Sequence, residues 1–323
     1  MKCAFVMCAV FCVLCSVSKA QWLETTIQLQ TGSGPRALCY NPLNNKVYCA
    51  NYDSDNVTVI DGAANQVITT VPAGDYPWVL CYNPLDNKVY CANAGIDNVT
   101  VIDGATNQVI TAVTAGEDPL ALCYNPLDNK VYCANINSHT VTVIEGATNQ
   151  VITTIAAGAS PLILCYNPRS NKVYCVNINS HTVTVIEGAT NLVITTIAAG
   201  SSPHILCYNP ENNKVYCANH GSGDVTVIDG ATDTVLVTIV VGDDPKAFCH
   251  NPLQNRVYVA NRYSSTISVL RDSMSGIEES LKPQARGYGR ARTAIRRGRV
   301  RRDGAEGRER EAGRVLRRRG ARD

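Results

Sequence analysis

The chain has 323 residues, 45% hydrophobic and 17% charged, with a formal net charge of +2. That total hides two opposed parts: residues 21–271 carry 11 Lys and Arg against 19 Asp and Glu, whereas residues 281–323 carry 16 against 5. The apolar content excludes a chain disordered throughout. Beyond residue 20 no apolar run reaches the roughly 18 residues that a membrane helix needs, which excludes a helical span there.

Residues 1–20 read as a secretory signal peptide. Lys2 supplies the positive start, residues 3–15 are almost unbroken apolar sequence, and Ser18 and Ala20 put small residues at the cleavage positions. A lipoprotein signal is set aside because Leu14 precedes Cys15. The expected location is therefore secreted or cell-surface.

Residues 21–271 are repetitive. Cysteines recur every 42 residues at Cys39, Cys81, Cys123, Cys165, Cys207 and Cys249. A second series runs Cys49, Cys91, Cys133, Cys175 and Cys217, then Val259. One unit holds four strand-like pieces, residues 37–40, 46–50, 56–60 and 66–71, rich in Val, Ile and Thr and separated by Asn, Pro and Gly. With a single Phe beyond residue 20, Phe248, the core must be built from Val, Ile, Leu, Ala, Cys and Tyr. Four short antiparallel strands per 42 residues is the pattern of a β-propeller blade, so the expected fold is all-β, a six-bladed propeller. The sixth unit stops after its third strand. Residues 25–29, followed by Gly32 and Pro35, align with residues 193–197, Gly200 and Pro203, so the N-terminal strand is expected to complete the last blade and close the ring.

The motif Tyr48-Cys49-Ala50-Asn51 followed by Asn56-Val57-Thr58-Val59-Ile60-Asp61 resembles the YVTN β-propeller repeat, and Tyr258-Val259-Ala260-Asn261 is nearer to that pattern than the other five units. The resemblance implies an exported or surface-layer-like bacterial or archaeal protein with an undefined ligand.

The remaining residues, 272–323, read as a linker followed by an Arg-rich tail. The tail admits three readings: a basic arm, a disordered segment, or a wrong-frame remnant of a C-terminal sorting domain. Nucleic-acid binding is disfavoured, because an exported chain rarely meets that partner and the tail offers one aromatic, Tyr288, for base stacking.

Ten of the eleven cysteines beyond residue 20 form five C-x9-C pairs. A hairpin that sets Tyr40 opposite Tyr48 puts Cys39 opposite Cys49, within disulfide range. On that register the bridges are Cys39–Cys49, Cys81–Cys91, Cys123–Cys133, Cys165–Cys175 and Cys207–Cys217. The competing reading is that all are small core residues, as Cys249 facing Val259 suggests. Structural zinc is disfavoured because the C-x2-4-C spacing is absent.

A site is expected where the repeat varies. The residue after each inter-blade Pro reads Arg36, Trp78, Leu120, Leu162, His204 and Lys246, at the start of the innermost strand and hence around the channel mouth. Asp75, Asp118 and Asp244 lie beside it. His139, His181, His204 and His220 fall on the same face, but residues 136–158 and 178–200 differ at one position, so the twin His139 and His181 read as duplication. No catalytic residue, metal or cofactor is assigned. The preferred function is a non-catalytic binding or surface scaffold for a protein, glycan or small molecule. The alternative is a lactonase-like hydrolase or a cofactor-dependent dehydrogenase working in the central channel.

Overall fold

The computed structural model describes residues 22–272, so the expected signal peptide and the Arg-rich tail lie outside the described residues. All regular structure among the described residues is antiparallel sheet. The first sheet comprises β1 (Pro35–Asn41), β2 (Lys46–Asn51), β3 (Asn56–Asp61) and β4 (Gln66–Pro72). The second comprises β5 (Pro77–Asn83), β6 (Lys88–Asn93), β7 (Asn98–Asp103) and β8 (Val109–Thr114). The third comprises β9 (Pro119–Asn125), β10 (Lys130–Asn135), β11 (Thr140–Glu145) and β12 (Val151–Ala156). The fourth comprises β13 (Pro161–Asn167), β14 (Lys172–Asn177), β15 (Thr182–Glu187) and β16 (Val193–Ala198). The fifth comprises β17 (Pro203–Asn209), β18 (Lys214–Asn219), β19 (Asp224–Asp229) and β20 (Val235–Val240). The sixth has only β21 (Pro245–Asn251), β22 (Arg256–Asn261) and β23 (Thr266–Arg271).

Sheets stack in sequence because each has two apolar faces. In the first junction Tyr48, Val57 and Val59 of the first sheet pack on Leu80, Val89, Cys91 and Ile102 of the second. The same set recurs at the later junctions. First strands pack on one another from β1 through β21, so they form the inner wall.

Polar tethers reinforce each junction. Asn41 Nδ2 donates to Asn87 Oδ1 at 2.8 Å, and Asn83–Asn129, Asn125–Asn171, Asn167–Asn213 and Asn209–Asn255 repeat the bond at 2.9–3.0 Å. Lys46 Nζ donates to the carbonyls of Gly104 and Ala105 and to Asn107 Oδ1, each at 2.9 Å. Where the repeat runs out, Lys214 and Tyr216 turn to the buried carboxylate of Asp272, which stands in the repeat position of Gly230.

The expected disulfides are not formed: all eleven described cysteines are free. The pairing is Cys39↔Tyr48 and Leu38↔Cys49, one residue away from the register anticipated. The cause is the turn. Asn41 Oδ1 accepts the amides of Leu43 and Asn44, and Asn45 sits at φ 49, so four residues separate the paired Asn41 and Lys46. A one-residue shift sends a side chain to the other face. Cys39 therefore faces the second sheet, while Cys49, like Cys91 in the next unit, faces the opposite way. The same separation holds for Cys81–Cys91, Cys123–Cys133, Cys165–Cys175 and Cys207–Cys217. Burial pushes the Cys39 thiol to about 11 and the Cys81, Cys123 and Cys165 thiols to about 12, which keeps them protonated and unreactive at neutral pH.

The expected pairing of residues 25–29 with the last sheet is likewise absent among the described residues. Residues 22–30 form no strand and lie along the first sheet, where Gln28, Leu29 and Gln30 share a cleft with Asn56, Thr58, Val67 and Thr70. Asn65 Nδ2 reaches Glu24 Oε1 at 3.2 Å. Leu29 occupies the repeat position of Val71, so it keeps the contact with the sheet that follows it. That contact is made across one short turn, whereas pairing with β23 closes a loop spanning the whole array. The faces at the two ends accordingly stay open. Leu38 is 70% exposed where its repeat equivalent Leu80 is 9%, and Ile267 is 68% exposed where Val57 is fully buried.

Candidate functional site

One face of the array carries the loops between second and third strands and those between sheets. Their frame is constant. Asp55 Oδ1 accepts the amide of Tyr76 at 3.0 Å and Asp97 Oδ1 that of Asp118 at 2.8 Å. His139 Nδ1 lies 3.1 Å from the Ser160 amide and His181 Nδ1 accepts that of Ser202 at 3.0 Å. His181 thus replaces the aspartates as a loop acceptor, while His139 Nδ1 stands between the Ser160 amide and the Ile136 carbonyl, 3.0 Å from the latter.

Two positions on this frame vary freely. One begins the innermost strand: Arg36, Trp78, Leu120, Leu162, His204, Lys246. The other opens the loop after the second strand: Tyr52, Ala94, Ile136, Ile178, His220, Arg262. Together they divide the face into three sectors. At the first and second sheets, the Arg36 guanidinium lies 3.2 Å over the Trp78 ring and 5.7 Å from Tyr52. Tyr52 stacks on Tyr76 at 4.8 Å and meets Trp78 edge-on at 5.8 Å. The middle sector is aliphatic: Ala94, Leu120, Ile136, Leu162 and Ile178.

The third sector is built on Asp244, which is 2% exposed. Its carboxylate is 3.4 Å from Lys246 Nζ and 2.5 Å from Arg262 Nε, and it touches His220 Nδ1. These are close contacts without hydrogen-bond alignment. Burial alone pushes the Asp244 carboxyl up, but Lys246, His220 and Arg262 together outweigh it and hold the group below the usual carboxylate range. His204 lies 6.2 Å from His220, ring to ring. Burial, then Lys246 and His220, push its imidazole below the ordinary histidine value, so it is neutral at pH 7. His220, Ser222, Asp243, Asp244 and Tyr263 line an open cleft of about 380 Å³ here.

The residues expected from the sequence therefore separate into two clusters, Arg36 with Trp78 and His204 with Lys246 and Asp244. Asp75 is exposed at the rim of the first. Asp118 belongs to neither: Asn137 Nδ2 approaches its carboxylate at 3.4 Å, and burial followed by the neighbouring Asp97 raises its carboxyl. Sequence reasoning missed Tyr52, Tyr76, Arg262 and Tyr263. The signal for them was departure from the repeat, since aromatics fall otherwise at fixed positions such as Tyr40 and Tyr48.

No protein-family model matches the chain, and no curated protein matches it. Among solved structures, a 6-phosphogluconolactonase candidate from Bacteroides uniformis is similar at 16% identity and a TM-score of 0.58, over 74% of this chain and 81% of that one. A chain of Kuenenia stuttgartiensis hydrazine synthase is similar at 15% identity and a TM-score of 0.49, over 79% of this chain and 100% of that one. At this identity the likeness to the first shows the fold alone, an all-β, propeller-like array of antiparallel sheets.

Proposed function

We propose that the chain is an exported six-bladed propeller of the YVTN type that binds a partner through its variable mouth without chemical turnover. The observation that carries this reading is the segregation of variety. The tethers and apolar contacts of the junctions repeat almost unchanged, while two positions per unit supply an aromatic, an aliphatic and a charged sector. Scaffolds with a changeable surface are built in this way. Ring closure belongs to the same proposal. The faces left open, Leu38 with Tyr40 and Ile267 with Val269, are repeat equivalents of the faces that every interior junction buries.

The enzyme reading would draw on the Asp244 sector. There the carboxylate is already shared among three basic groups, and the Ser222 hydroxyl accepts the Ser201 amide rather than facing a base. The likeness to a lactonase candidate supports that reading through fold alone. The test applies the full mature chain to immobilised glycan and peptide panels and to a lactone hydrolysis assay. Saturable binding that is lost when Trp78 and Lys246 are both changed to Ala, with hydrolysis at the background rate, is the expected result. Hydrolysis by the native chain that disappears in Asp244→Asn would overturn it.

A further inference from the structure

We propose that Tyr52, Tyr76 and Trp78 form a binding site for an organic cation, a guanidinium or alkylated ammonium group, whose place in this structure is held by Arg36. The inference rests on the binding reading above and names the ligand class for one sector of that mouth.

Three observations converge. Aromatics at non-repeat positions are few, and a drifting surface would scatter them. Instead Tyr52, Tyr76 and Trp78 meet at one junction. Next, Tyr76 sits at φ 57, a left-handed conformation that bulky side chains avoid. The other units place Gly34, Asp118, Ser160, Ser202 and Asp244 there, all residues that tolerate it more readily. Strain of this kind is found where a site needs a particular side chain. Finally, the Arg36 guanidinium is seated on the Trp78 ring, yet it makes no ion pair among the described residues. What holds it is ring surface.

The negative faces of aromatic rings attract cations, and clustered rings recognise alkylated ammonium and guanidinium groups. Asp53, Asp55 and Asp75 stand exposed around the rings. Their field draws cations and repels anions. Arg36 is then a resident competitor: an incoming cation must displace it, which lowers apparent affinity by the fraction of time the seat is taken.

The test uses the full mature chain with Trp22→Phe, so that Trp78 is the sole tryptophan, and titrates choline chloride and arginine amide while following indole fluorescence. The expected result is saturable binding that Arg36→Ala tightens about tenfold. Tyr52→Ile should abolish it with the unfolding midpoint held. Tyr76→Ser should weaken binding while raising that midpoint, an outcome a purely structural stack would not give. A folded Arg36→Ala protein that binds neither cation overturns the inference. So does equal binding of a neutral methyl glycoside. If panel binding through the mouth survives while cation binding fails, the cation inference falls alone; if both fail, the binding reading falls with it.

Discussion

The two loop faces of the array are built from the same repeats and treat substitution in opposite ways. On the turn face, Asn125 is fully buried and donates to Asp128 and, in the next sheet, Asn171, while its Oδ1 accepts the amides of Leu127 and Asp128. Any other side chain there strands several buried polar groups. On the mouth face, the loops are held by backbone bonds and one or two side-chain acceptors per unit, and the residues at 36, 52 and their equivalents meet one another or neighbouring loop residues such as Tyr76 and Asp244. A repeat stays constant where a side chain's partner lies buried in the next sheet, and is free where it does not.

The sharpest way to break this comparison is Asn125→Ala. Losing its bonds and orphaning their partners should cost about 4 kcal/mol, on the order of 10 °C in midpoint, against a near-neutral Leu120→Ile on the other face. Thermal unfolding of both variants checks the contrast. The open seam comes next. If the ring seals in solution as proposed, Ile267→Asp buries a charge on an apolar face and should destabilise by about 3 kcal/mol. A change within about 0.5 kcal/mol would mean that the face stays exposed.

A smaller effect concerns the loop acceptors. His181→Ala removes the bond to the Ser202 amide and should cost about 1 kcal/mol, while His181→Asp, which copies Asp55 and Asp97, should restore it. Acid sensitivity follows from the turn face. Backbone amides of Thr106 and Thr232 hold the carboxyls of Asp103 and Asp229 below the usual carboxylate range. Each favours the charged form in the fold, so the stability it adds is present above about pH 4 and lost as pH falls through the folded value. Asp103→Asn should flatten that acid limb in unfolding curves taken between about pH 5 and 3. The smallest effect is on thiols. Among the described cysteines only Cys249 is exposed, so a thiol reagent at neutral pH should label it quickly and the rest only on unfolding.

Much of this was legible in the repeat. Period, strand count, the Asn-Pro turn and the variable position that begins each innermost strand all follow from spacing. The register did not, because it depends on Asn45 adopting φ 49, which adds a residue to the loop and turns Cys39 away from Cys49. Two further features lay outside the pattern. Asp272 takes up the tethers of the missing turn where the repeat ends, and Tyr76 is legible only as a misfit, since a left-handed position rarely holds an aromatic ring.

The junctions build the fold, and the proposed binding is assigned to the mouth alone. The most direct test moves one mouth sector into the identity of another, with Tyr52→Ile, Tyr76→Ser and Trp78→Leu combined to copy Ile136, Ser160 and Leu162. Unfolding and cation binding, by calorimetry, are then measured on the same sample. The expected result is an unfolding midpoint equal to or above that of the native chain, with binding lost. A lowered midpoint with binding retained would contradict it.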